Sequence, residues 1–112
     1  MFQALAKYNE IPPFVQFGYE PKTTFWGDFG VADVVSGVAG IKDTFNRAFK
    51  EWRDDKEYAT ELAMVLNHKC WEWYDKDEDI ARLYNQLYEK IDAYITDNWT
   101  GEKLDYYLRT TD

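Results

Sequence analysis

The stretch EYATELAMVLNHKCWEWYDK, residues 57–76, contains neither glycine nor proline and has apolar residues at nearly every helical angle. On a helix at about 100° per residue, its apolar side chains cover an arc of well over half the circumference. A surface helix usually has a narrower apolar stripe. The stretch is therefore predicted to be the central helix of a small bundle, with Leu66 and Trp73 buried beside Leu87 and Ile91.

A narrow stripe of mostly acidic residues runs along the opposite side of this helix and is predicted to face the solvent. It consists of Glu57, Glu61, Met64, His68, Glu72 and Asp75, and it extends about 27 Å at 1.5 Å per residue. Carboxylates in such a line could imitate a nucleic-acid backbone toward a basic protein; a solvated face is the alternative. Reversing Glu61 and Glu72 to Lys is expected to weaken binding and to leave the fold intact. His68, between two acids, is expected to protonate more readily.

Apolar residues recur at helical spacing in two neighbouring stretches, 38–53 and 78–98. Asp54 and Asp55 are suited to cap the central helix. Shorter helices are predicted over 28–36 and 101–108. The predicted fold class is all-α, a small helical bundle of three main helices plus one or two short helices.

The first 24 residues differ from the rest in composition. They contain all three prolines, Pro12, Pro13 and Pro21, together with several aromatic residues. Because proline interrupts helices, residues 1–24 are predicted to form an irregular, extended, aromatic-rich N-terminal arm. Residues 25–112 are predicted to form the helical domain.

The charge of −8 arises from the second half of the chain. Residues 54–112 carry fifteen acidic and seven basic side chains, whereas the six acids and six bases of residues 1–53 cancel. An acidic balance argues against direct binding of nucleic acid, which requires a basic surface. It is compatible with a soluble protein or with a partner that has a basic surface.

The chain lacks a signal-peptide pattern and any apolar run of the roughly 20 residues that span a bilayer. The single cysteine, Cys70, excludes an internal disulfide and favours a reducing compartment. The expected location is cytoplasmic, without membrane contact. His68 and Cys70 diverge by about 200° on a helix, so they cannot share a metal or form a nucleophilic pair. The chain is therefore predicted to be non-enzymatic, with no catalytic residues, cofactor or metal.

Two other function classes stay open. A small-ligand binding protein, for example for a signalling nucleotide, would need basic and aromatic side chains in one pocket. The candidate cluster for that class is Arg47, Lys50, Trp52 and Arg53. A homo-oligomeric structural protein, with a homodimer as the expected form, would use the high aromatic content of 19% at its interface.

Four blocks resemble a known family: FWGDFGVAD at 25–33, IKDTFNRAFKEW at 41–52, ELAMVLNHKCW at 61–71 and LDYYLRTTD at 104–112. They are similar to small proteins encoded by phages and mobile elements of gut bacteria, a family without an assigned activity. The resemblance covers residues 24–112. By association it implies binding to a host protein with a basic surface, in the bacterial cytoplasm. Inhibition of a nucleic-acid-handling defence protein, of the anti-restriction or anti-CRISPR type, is one such role.

Overall fold

The computed structural model describes residues 22–111. The predicted arm, residues 1–24, lies outside this range except for its last three residues. The elements in chain order are α1 (Phe25–Val31), a π-helical segment (Ala32–Ser36), α2 (Gly37–Trp52), α3 (Lys56–Trp73), α4 (Glu78–Asn98) and α5 (Gly101–Thr111). Between residues 22 and 111 there is no strand, which confirms the all-α class. In this range no helix combines the length and apolar character that crossing a membrane requires.

The two longest helices begin at aspartate caps. The Asp55 carboxylate accepts hydrogen bonds from the backbone N–H groups of Glu57 (3.0 Å) and Tyr58 (2.8 Å) at the start of α3. Asp77 does the same for Asp79 and Ile80 at the start of α4. Such caps satisfy N–H groups that have no partner within the helix. The connections between these helices are short, residues 53–55 between α2 and α3 and residues 74–77 between α3 and α4.

Helix α3 is the centre of the bundle. It packs along α4 and also contacts α1, α2 and α5. Leu66, Leu87 and Ile91 are all buried in the common core, as predicted. Trp73 is only partly buried and packs against the core, and its indole N–H donates to Asp33 in the π-helical segment.

The chain breaks helical continuity between the π-helical segment and α2. Gly37 has a φ of 62°, a left-handed conformation that glycine adopts without a steric penalty. Gly40 follows one turn later, where an added Cβ would lie 2.3 Å from the Cβ of Ser36. This close approach brings the start of α2 against the end of the π-helical segment.

Candidate functional site

The predicted acidic stripe of α3 does not form a continuous exposed surface. Glu61 is completely buried and His68 is 4% exposed. Glu57, Met64 and Glu72 are partly buried, and Asp75 is exposed. The prediction that Glu61 and His68 face the solvent is therefore wrong.

Residues before and within α1 cover this side of α3. The Glu61 carboxylate accepts hydrogen bonds from the backbone N–H groups of Lys22 (2.7 Å) and Thr23 (3.0 Å) and from the Thr23 hydroxyl. The Lys22 ammonium forms an ion pair with Glu57. Glu57 and Glu61 thus bind this incoming segment, and Glu61 supplies the acceptors that its backbone donors need.

His68 lies against α1. Its ring packs edge-on against the indole of Trp26, with a centroid separation of 4.6 Å. The pKa of His68 is lowered to about 4, chiefly by burial and also by the neighbouring positive charge of Lys69. The expectation that His68 protonates more readily is wrong, because loss of hydration penalises the charged imidazolium.

A buried polar cluster joins the π-helical segment to α3 and α4. One carboxylate oxygen of Asp33 accepts from Lys69 Nζ (2.8 Å), Trp73 Nε1 (3.0 Å) and the Tyr84 hydroxyl (3.0 Å). Lys69 also pairs with Glu72. Burial raises the pKa of Tyr84, and the adjacent Asp33 charge adds to that shift. Tyr84 therefore remains a neutral donor, and the cluster is internally paired.

Four valines are exposed on α1, the π-helical segment and the start of α2. Val34 and Val35 are 78% and 75% exposed, and Val31 and Val38 are 63% and 44% exposed. We call these four residues the valine face. The sequence VADVVSGV at 31–38 has more apolar residues than one buried helical face can hold. This excess indicates that some of its valines are exposed.

A groove of about 560 Å³ lies between α1 and α2 and has Val31 in its lining. Its lining includes residues at four-residue spacing that are small except for the last. These are Ser36, at the end of the π-helical segment, and Gly40, Thr44, Ala48 and Trp52 on α2. Its charged lining residues are Asp28, Asp43, Glu51 and Arg47, three acids and one base. The groove is thus acidic and directly adjoins the valine face.

The residues predicted to bind a small ligand do not converge. Arg47 and Trp52 line the groove, whereas Lys50 and Arg53 are not among its lining residues. The Arg53 guanidinium lies over the rings of Phe49 (5.6 Å) and Tyr94 (5.7 Å). Arg47 pairs with Asp43 at 3.1 Å. The spacing along α2 directs these side chains to different neighbours.

Two features bear on the chemistry of the described residues: the arrangement of possible metal ligands and the state of the Cys70 thiol. Residues 22–111 contain no group of three or more His, Cys, Asp or Glu side chains arranged to hold a metal ion. Burial raises the pKa of the Cys70 thiol, which disfavours the nucleophilic thiolate. The exposed valine face and the acidic groove are features suited to contact another molecule.

No protein-family model matches the chain, and no curated protein or solved structure shows significant similarity to it. The resemblance to proteins of phages and mobile elements stays a prediction.

Proposed function

We propose that this chain is a non-enzymatic interaction protein of a phage or mobile element, and that it binds a host protein with a basic surface. In the more specific form of the proposal, that partner is a nucleic-acid-handling defence protein, which the chain inhibits. The binding surface is the valine face together with the acidic groove. This surface replaces the α3 stripe, whose central residues Glu61 and His68 are buried.

The observation that carries the proposal is the exposure of the valine face. Val34 and Val35 each leave about three quarters of their surface in water, at 78% and 75%. Covering apolar surface contributes roughly 25 cal/mol per Å². Contiguous apolar patches bordered by polar groups are typical of protein–protein contacts. A protein partner that covers Val31, Val34 and Val35 at once would gain from this burial.

Charge supports a basic partner. The chain carries a net charge of −8, and the groove beside the valine face has three acids and one base. An acidic surface steers a basic protein into encounter and repels an acidic one. The same charges oppose the signalling-nucleotide alternative, since a phosphate group would meet Asp28, Asp43 and Glu51. They also disfavour association with a second copy of the chain, although the exposed valines themselves would suit a homodimer interface.

The test compares three forms of the protein: wild type, the double variant Val34→Ser/Val35→Ser, and the control Leu108→Ser. Leu108 is also an exposed apolar residue, but it lies on α5. Each form is used to capture proteins from a gut-bacterial lysate, and the captured protein is then purified and titrated at two salt concentrations. We expect a basic partner that binds the double variant at least about tenfold more weakly, which corresponds to about 1.4 kcal/mol.

The control should bind like the wild type, and affinity should fall as salt screens the exposed charges. Equal binding to all three forms, or no specific partner in any lysate, would overturn the proposal. A wild-type homodimer that the double variant abolishes would also overturn it, in favour of the homo-oligomeric alternative. Sedimentation velocity on the same samples distinguishes these results.

A further inference from the structure

We infer that the groove between α1 and α2 receives a basic amphipathic helix. This inference rests on the proposed function, a basic protein partner, and names the segment of that partner that makes the contact. It follows from the shape of the groove, from the distribution of its charges and from its position beside the valine face.

The shape of the groove comes from the spacing of small residues on α2. Gly40, Thr44 and Ala48 occur at intervals of four and line the groove together. Residues four apart form rows along a helix surface, and side chains of a second helix fit between such rows. Small residues in the row leave a channel instead of a ridge. The volume of about 560 Å³ is within the range of concave ligand-binding sites.

The buried lining residues of the channel are apolar, and its charged lining residues are exposed. Ala32 and Ala48 are buried lining residues. Asp43 and Arg47 form an ion pair with both side chains about 70% exposed, at 68% and 73%. Asp28 accepts a hydrogen bond from Thr24, and Glu51 is exposed. A helix with apolar residues on one face and Lys or Arg at its borders matches this arrangement.

Val31 lines the groove and also belongs to the valine face. A helix placed in the groove would therefore contact one end of the valine face at Val31. A second copy of this chain would match the apolar part, but its net charge of −8 opposes the acidic edges. Charge complementarity thus selects a basic segment over self-association.

The probe is a fluorescently labelled synthetic peptide of about four helical turns, made of Leu and Lys in an amphipathic helical pattern. A matched peptide has Glu in place of each Lys. Fluorescence anisotropy measures binding of both peptides to the full chain. We expect the Leu/Lys peptide to bind and the Leu/Glu peptide to bind at least about tenfold more weakly.

Thr44→Trp tests the shape of the groove, because its indole would fill the channel. Asn46→Trp is the matched control: Asn46 is exposed on the same helix and does not line the groove. We expect Thr44→Trp to reduce peptide affinity at least about tenfold and Asn46→Trp to leave it unchanged. Circular dichroism and a thermal melt verify that both variants remain folded. Equal binding by the two variants would overturn the inference.

Glu51→Lys tests the charge of the groove against Asp97→Lys, which changes the net charge equally at an exposed position on α4. A larger loss for Glu51→Lys supports the groove. Equal losses of peptide affinity would show that the peptide responds only to overall charge, and would overturn the inference. A wild-type dimer that Thr44→Trp dissociates would also overturn it. Because the peptide is not the captured partner, a negative result here leaves the valine-face test intact. If the valine variants bind normally, the proposed function fails separately.

Discussion

The Asp33 carboxylate and the Lys69 ammonium form an ion pair of 2.8 Å, in which the side chains are 2% and 6% exposed. Asp33 lies in the π-helical segment and Lys69 lies in α3, 36 residues later in the sequence. Trp73 and Tyr84 donate to the same carboxylate oxygen. Burying two charges is costly unless each is paired and hydrogen bonded. The pair therefore makes the position of the π-helical segment on α3 and α4 specific.

Replacing one member of this pair should be severe. We expect Lys69→Met to lower the free energy of unfolding by about 3–5 kcal/mol, because it leaves the buried Asp33 charge without its cation. Urea denaturation followed by circular dichroism measures the change. Arg47→Met is the control: it breaks the exposed pair with Asp43 and should cost at most about 1 kcal/mol.

A second substitution separates charge from packing. Adding Asp33→Asn to Lys69→Met should recover part of the lost stability, since the unpaired buried charge is then removed. A Lys69→Met protein as stable as wild type would contradict the buried pair. A double variant less stable than the sum of the two single changes would contradict its electrostatic origin.

We expect the buried Glu61 carboxylate to stabilise the fold, and not to contribute to a charged surface. Glu61→Gln removes one of the two carboxylate oxygens that accept from Lys22 and Thr23, and we expect it to cost about 1.5–3 kcal/mol. Amide hydrogen exchange at Thr23 should accelerate as well. Glu51→Gln, the same change at an exposed position, should alter stability by less than about 0.5 kcal/mol. Unchanged stability and exchange in Glu61→Gln would contradict the role of this carboxylate.

The correction at Glu61 also changes the expected effect of charge reversal. Glu61→Lys would place an ammonium where two backbone N–H donors converge, and Glu72→Lys would remove a partner of Lys69. The double reversal should therefore lower the melting temperature, contrary to the prediction that it leaves the fold intact.

His68 should make stability depend on pH below neutrality. Its pKa is lowered from 6.5 to about 4 in the folded chain, so between these values the unfolded chain binds the proton more readily. The stabilising contribution is complete above pH 6.5 and decreases as the pH falls toward 4. The loss should approach about 1.4 kcal/mol per pH unit relative to His68→Gln.

The chain has one histidine, so its imidazole signals in a two-dimensional proton–carbon NMR titration are unambiguous. The ring should remain neutral at pH 5.5 in the folded protein. A titration midpoint at or above 6.5 would show that His68 is hydrated or paired with an acid, and would contradict this prediction.

Two glycines provide a matched comparison of backbone space. An added Cβ at Gly40 would lie 2.3 Å from Ser36 Cβ, whereas at Gly27 it meets nothing within 4 Å. We expect Gly40→Ala to cost about 1–3 kcal/mol through overpacking. Gly27→Ala should stabilise α1 by about 0.4–1 kcal/mol, because it reduces the freedom of the unfolded chain. Thermal melts of both variants measure these shifts, and an equally tolerated Gly40→Ala would contradict the close contact at Ser36.

Much of the helical framework was predictable from local pattern. The period of apolar residues over 78–98 predicted α4 with the bounds it has, Glu78–Asn98, and Asp55 was predicted as a cap. Both signals act within a few residues: helical periodicity sets which side chains share a face, and a cap satisfies the nearest N–H groups. The central position of α3 followed in the same way from its broad apolar arc.

The candidate site was not predictable at this level. The pattern of α3 shows a polar stripe at Glu61 and His68, but only the packed chain decides whether water or α1 covers it. The ion pair between Asp33 and Lys69 was not predictable either, because the two residues are 36 positions apart in the sequence. Periodicity and capping determined the helices by themselves. Burial, and with it the pKa of His68 and the exposure of the valine face, was decided by tertiary contacts, because the desolvation of a side chain depends on its neighbours in space.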